Sequence, residues 1–163
     1  MALQTAARRV PVAVVVSVLV IAGCGHDRGD SDEARVTFVV DGDTFDVRFP
    51  DGREERIRPP QVDAPEIDEC GYERASVALA ELILGETVEL VPTSDGPDRD
   101  AHGRLLRAVR LDGEDVGAEM VRSGLARWIA RYAHEDRTLA GHYEAAERQA
   151  QRASAGLWAA CDW

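Results

Sequence analysis

Two Asp-Gly pairs, Asp41-Gly42 and Asp51-Gly52, punctuate a stretch otherwise rich in Val, Phe and Thr. Asp-Gly tolerates the positive φ that tight turns demand, and β-branched and aromatic residues favour extended chain. The stretch therefore reads as three successive strands, at 35–40, 44–49 and 54–58, with Pro50-Asp51-Gly52-Arg53 as a hairpin turn. From residue 72 the period changes. Ala75, Leu79, Leu82 and Ile83 share one helical face over 72–84, and Gly85 is placed to end the helix. Strand character returns at 87–91 and 105–111, across the polar loop 92–103. A short helix at 116–123 stops at Gly124, and the last helix, 138–153, carries Leu139, Tyr143, Ala146 and Ala150 along its buried side. Three strands, a helix, two strands and closing helices is the order expected of a mainly β, five-stranded Greek-key barrel of the OB type with three α-helices. Periodicity does not fix strand order, so another small α+β fold is the competing arrangement.

The first two dozen residues stand outside this pattern. Arg8 and Arg9 precede an apolar run of about 13 residues, too short for the roughly 20 that a spanning helix needs. Residues 1–23 read as a signal peptide. The run ends Val20-Ile21-Ala22-Gly23-Cys24, which resembles a bacterial lipobox and makes Cys24 the expected lipidation site. The paired arginines also suggest twin-arginine export, but the residues after them match that signal poorly. Residues 24–34 have almost no apolar content and read as a tether, leaving 35–163 as one domain with too little chain for two. An exported protein anchored this way is expected at the membrane, on its extracytoplasmic face. With Cys24 lipidated, Cys70 and Cys161 remain as an even pair in an oxidising compartment, and a disulfide between them is expected.

The formal charge is −11, and all 19 basic residues are arginine. Such acidity argues against tight, sequence-independent phosphate binding, which rests on cationic surface. Several of the acids lie in the tether, and bound cations would neutralise others. Weak, cation-dependent binding of nucleic acid is what remains.

Three segments carry the chemistry: Asp41-Gly42-Asp43-Thr44, then Arg58-Pro59-Pro60-Gln61-Val62-Asp63-Ala64-Pro65-Glu66, then Asp100-Ala101-His102-Gly103-Arg104. Carboxylates are hard oxygen donors suited to calcium in an open, hydrated site, and guanidinium groups present planar forks to phosphate oxygens. An Asp-Gly-Asp alone is usually a turn, and an isolated arginine is usually half of a surface ion pair. The ordered combination, with the closing Gly156-Leu157-Trp158, resembles the staphylococcal nuclease-like (thermonuclease) family across nearly the whole domain. The resemblance implies an OB barrel with three helices and calcium-dependent hydrolysis of DNA and RNA to 3′-phosphate products. By the same likeness Asp43, Asp63 and the backbone carbonyl of Ala64 hold the Ca2+, and Glu66 is the general base. Arg58 and Arg104 bind the scissile phosphate and stabilise its transition state. His102 stands where the family often has an aromatic residue contacting the nucleotide, so substrate contact is expected of it rather than proton transfer. No protein partner is implied, and a monomer is expected. Trp128, Trp158 and Trp163 read as packing residues.

Three departures bear on that reading. Pro59-Pro60 removes two backbone donors where the family continues a strand, so the third strand must end, bulge or run along an edge. Displacement of Arg58 would leave Arg56, on the same strand face, as the fallback. The Gly71-Tyr72-Glu73-Arg74-Ala75 segment is shifted by one residue from the family pattern, and the loop after Glu66 lacks basic residues. A non-catalytic nucleic-acid-binding OB module and a calcium-stabilised envelope lipoprotein are the alternatives.

Overall fold

The computed structural model describes residues 32–163. The expected signal peptide, Cys24 and most of the tether lie outside the described residues. Strand β1 (Asp32–Val39) is followed by β2 (Phe45–Arg48), β3 (Glu54–Arg58) and β4 (Val62–Asp63). Helix α1 (Tyr72–Ile83), β5 (Thr87–Pro92), β6 (Leu105–Leu111) and β7 (Glu114–Asp115) come next. The chain ends with α2 (Val116–Arg122), β8 (Arg127–Trp128), a 3-10 turn (Ala130–Tyr132), α3 (Arg137–Ala153) and α4 (Leu157–Ala160).

The large sheet runs β3-β2-β1-β5-β6-β7, and a parallel contact between β3 and β6 closes it. That closure pairs Ile57 with Leu105 and Arg58 with Leu106, so five strands form a barrel with no free edge between them. Its interior is filled by alternate residues such as Phe45, Val47, Ile57, Val88, Leu90 and Val109, all buried. The fold is the expected one, a mainly β OB-type barrel with three longer helices. One expected boundary differs. β1 begins at Asp32, so the three residues 32–34 belong to the barrel rather than the tether; they pair with β5, and Ala34 is buried. The β4–β8 pair, β7 and α4 were not expected, because two-residue strands and one-turn helices carry no periodicity.

Helix α1 buries Ala75, Leu79 and Ile83, and α3 buries Leu139, Ala140, Tyr143, Ala146 and Ala150. Side chains cap two helices: Asp115 accepts from the Ala118 amide and Asp136 from the Leu139 amide. The C-terminal turn α4 drives Leu157 into the core and docks its amide on the Gly124 carbonyl at 2.8 Å. Cys70 and Cys161 form a disulfide that ties this C-terminal segment to the start of α1, with Cα atoms 5.9 Å apart. Trp158 and Trp163 meet edge to face, 5.4 Å between centroids. None of the helices among the described residues is long and apolar enough to cross a membrane.

Candidate active site

The end of β1 delivers the chain into the Asp41–Thr44 turn, where the Asp41 carboxylate accepts from the Asp43 amide. Gly42 lets that turn lie flat against its neighbours: a Cβ there would come within 2.6 Å of the Ala64 Cβ and 2.7 Å of the Ala75 Cβ. The close approach places Asp43 over the Val62–Pro65 segment. One Asp43 oxygen accepts from the Ala64 amide at 2.8 Å, and the other from the Thr44 hydroxyl at 3.0 Å. That second oxygen also lies 3.1 Å from Nε of Arg58.

Pro59 and Pro60 end β3 immediately after Arg58. Gln61 then takes a left-handed conformation, φ 63°, and turns the chain into β4. Gln61 is buried and tied down on three sides. Its carbonyl accepts from the Ile129 amide at 2.8 Å, its Oε1 from the Trp128 indole at 3.3 Å, and its Nε2 donates to the Asp136 carbonyl at 3.3 Å. The prolines therefore do not displace Arg58. Its NH2 group is 3.6 Å from Asp63, and its NH1 group donates to the carbonyls of Pro59 and Val62. Arg56, the fallback, points elsewhere and forms a two-pronged pair with Asp46 at 2.7 and 3.0 Å.

Arg104 lies on the far side of Thr44, donating through NH1 to its hydroxyl at 3.3 Å and through Nε to Asp100 at 2.6 Å. Asp100 also accepts from the amides of His102 and Arg104. Burial pushes its carboxyl up, but these bonds from Arg104 and His102 outweigh burial and hold it below the usual carboxylate range. Asp43, Asp63, Arg58, Thr44 and Arg104 thus form one linked network. Arg58, Arg104 and His102 open onto a cleft of about 480 Å³. Glu66 stands apart. It follows buried Pro65, is exposed, and its carboxylate makes no hydrogen bond or ion pair among the described residues. Of the Arg58 fork, the Nε and NH1 hydrogens are committed to the protein, and NH2 is what it can turn to a ligand.

Among the described residues no three acidic, histidine or cysteine side chains gather as a metal cluster. A calcium ion would have two carboxylates and main-chain oxygen as its protein donors, with water completing the shell. The residues fit that role. Asp43 and Asp63 already flank a single cation, the Arg58 guanidinium. Burial still raises the Asp43 carboxyl to about 6 despite that guanidinium and the Ala64 amide, with Asp41 adding to the rise. A cation held beside Asp43 would oppose that rise.

A family model described as staphylococcal nuclease homologue matches residues 56–160. The chain is 31% identical over 162 residues to a micrococcal nuclease of Shigella flexneri, covering 94% of this chain and 86% of that protein. It is 30% identical over 146 residues to endonuclease YncB of Bacillus subtilis, covering 84% and 67%. A Haemophilus influenzae protein named as an uncharacterized endonuclease is 26% identical over 140 residues, covering 86% and 72%.

Proposed function

This chain belongs to the staphylococcal nuclease homologue family and is a nuclease, and we propose that it is a calcium-dependent endonuclease hydrolysing DNA and RNA to 3′-phosphate products. One observation carries the site assignment: Arg58 bridges Asp43 and Asp63 and is joined through Thr44 to Arg104 at the mouth of the cleft. The network gathers anionic oxygen for a cation beside guanidinium groups for a phosphate.

In this reading the scissile phosphodiester lies between Arg58 and Arg104. The NH2 of Arg58 and the free edge of Arg104 hold its non-bridging oxygens and neutralise the charge that builds on them. Glu66 removes a proton from the attacking water. The new bond forms from water oxygen to phosphorus, and the bond to the 5′-oxygen breaks. Arg104 steadies that departing oxygen, which takes a proton from solvent, leaving a 3′-phosphate and a 5′-hydroxyl. Asp43, Asp63 and the Ala64 carbonyl would hold calcium, which supplies positive charge beside the phosphate when bound. His102, on the cleft rim, contacts the nucleotide.

The proposal includes a signal peptide, a lipid anchor at Cys24, and action as a monomer outside the cytoplasm. The Cys70–Cys161 disulfide agrees with an oxidising compartment. Radiolabelled fatty acid should enter the wild-type protein in cells and be absent from Cys24→Ala.

The decisive assay incubates purified protein with single-stranded DNA, with calcium or with chelator. Cleavage should require calcium and fall at least about 10²-fold in Glu66→Gln, the usual range for loss of a general base. The isolation of Glu66 favours a second reading, a binding module without turnover. Retention of DNA with no cleavage under either condition would establish that reading instead.

A further inference from the structure

The cleft beside Arg58 and Arg104 is larger than one phosphate requires, and its volume falls in the range of sites that hold drug-sized ligands. Four arginines line it: Arg58, Arg99, Arg104 and Arg131. The first three are each held by an acid, Arg58 by Asp43, Arg99 by Glu55 and Arg104 by Asp100. Arg131 has no carboxylate partner among the described residues. Its guanidinium instead lies 4.8 Å from the ring centroid of Tyr132. Stacking on a ring face uses the plane of the guanidinium and leaves its N–H edge available. In a chain of net charge −11, an arginine on a cleft wall with no carboxylate partner among the described residues has its hydrogen-bonding edge open to a ligand.

The wall that carries it is fixed to the rest of the site. Arg131 belongs to the 3-10 turn that begins just after Ile129, and the Ile129 amide donates to Gln61 at 2.8 Å. Gln61 is the residue that redirects the chain after Arg58-Pro59-Pro60, and its side chain also accepts from Trp128 on β8. The backbone bearing Arg131 is therefore registered against the backbone bearing Arg58. Arg131 itself is exposed, so its side chain is open to ligand.

Building on the nuclease reading, we propose that Arg131 is a phosphate-binding residue of a flanking subsite, holding a backbone phosphate that neighbours the scissile one, with Tyr132 backing the guanidinium. The subsite takes polynucleotide and has nothing to grip in a substrate with a single phosphodiester. It supplies in this chain a cationic contact that the acidic surface and the loop after Glu66 do not.

Steady-state kinetics on two substrates test this: an oligothymidylate of about ten nucleotides, and a chromogenic thymidine diester with one phosphodiester. Arg131→Ala should raise KM for the oligonucleotide about tenfold with kcat little changed, and should leave kcat/KM for the small diester within about twofold. Arg131→Lys should restore most of the loss, because a point charge still meets a phosphate. The salt dependence of oligonucleotide KM should also flatten in Arg131→Ala by about one phosphate contact, a log–log slope change near 0.7. Equal effects on both substrates, or no effect on either, with wild-type turnover intact, overturn the subsite alone. No turnover of either substrate by the wild type overturns the nuclease reading and the subsite with it.

Discussion

Gly42 has no room for even one methyl group, since Ala64 and Ala75 already occupy the space a Cβ would need. Both obstacles are Cβ atoms on packed backbone, so neither can swing aside. Gly42→Ala should destabilise the fold by about 1–3 kcal/mol, the usual cost of overpacking, read from the urea midpoint. Activity should fall further than stability implies, by about 10²-fold, because the displaced turn carries Asp43. Asp43 itself sets a pH dependence. Its folded carboxyl is raised from 3.8 to about 6, chiefly by burial. A raised carboxyl binds more protons folded than unfolded across that window, so stability falls as pH rises from about 4 to about 6 and levels off above. In chelator, wild-type protein should therefore lose roughly 2–3 kcal/mol over that window relative to Asp43→Asn. A flat difference between the two urea midpoints would show that burial does not raise the Asp43 carboxyl.

At the scale of elements, the turn from β3 to β4 decides where the arginine goes. Gln61 is buried with a positive φ and satisfies groups on β8 and at the start of α3. Gln61→Ala keeps the unfavourable backbone conformation and strips the side-chain bonds, leaving the buried side of the Trp128 indole without its acceptor. A loss of about 2–3 kcal/mol is expected by chemical denaturation, and Arg131 should lose its influence on oligonucleotide KM as the wall loosens. This element was hidden in the sequence for a physical reason. Pro59-Pro60 announces the end of a strand, but nothing local says that a glutamine will adopt the left-handed conformation to recover direction. The barrel strands were legible because alternation of Val, Phe and Ile between Asp-Gly turns leaves few other arrangements. A further Asp-Gly pair, Asp112 at φ 53° and Gly113 at φ 87°, makes the β6–β7 turn. It was as readable as the others, but the strand it leads to is too short to show a period. Arg58, Asp43, Asp63 and Arg104 could be singled out because motif order carried them. Arg131 carried no motif, and only the closed barrel brings its wall against the turn after Arg58.

For the whole molecule, the disulfide joins residues 91 apart in sequence. By the chain-entropy estimate a closure of that length contributes about 4–5 kcal/mol. Cys70→Ser with Cys161→Ser should lower the unfolding free energy by about 3–5 kcal/mol, measured by urea titration. The bridge does more than fasten an end. Cys70 lies on the loop that begins at Glu66, and Gly71, at φ 95°, packs so closely on Leu157 that a Cβ would sit 2.4 Å from its δ carbon. The loop carrying the general base in our reading is thus seated on the C-terminal turn. Activity of the double serine variant should fall even at temperatures where it remains folded. For a cell making a nuclease, such a joint would tie potency to redox surroundings: on our reading, a newly made chain with reduced thiols would be at its weakest among the host's own nucleic acids. It would reach full strength only once its two sulfurs had met.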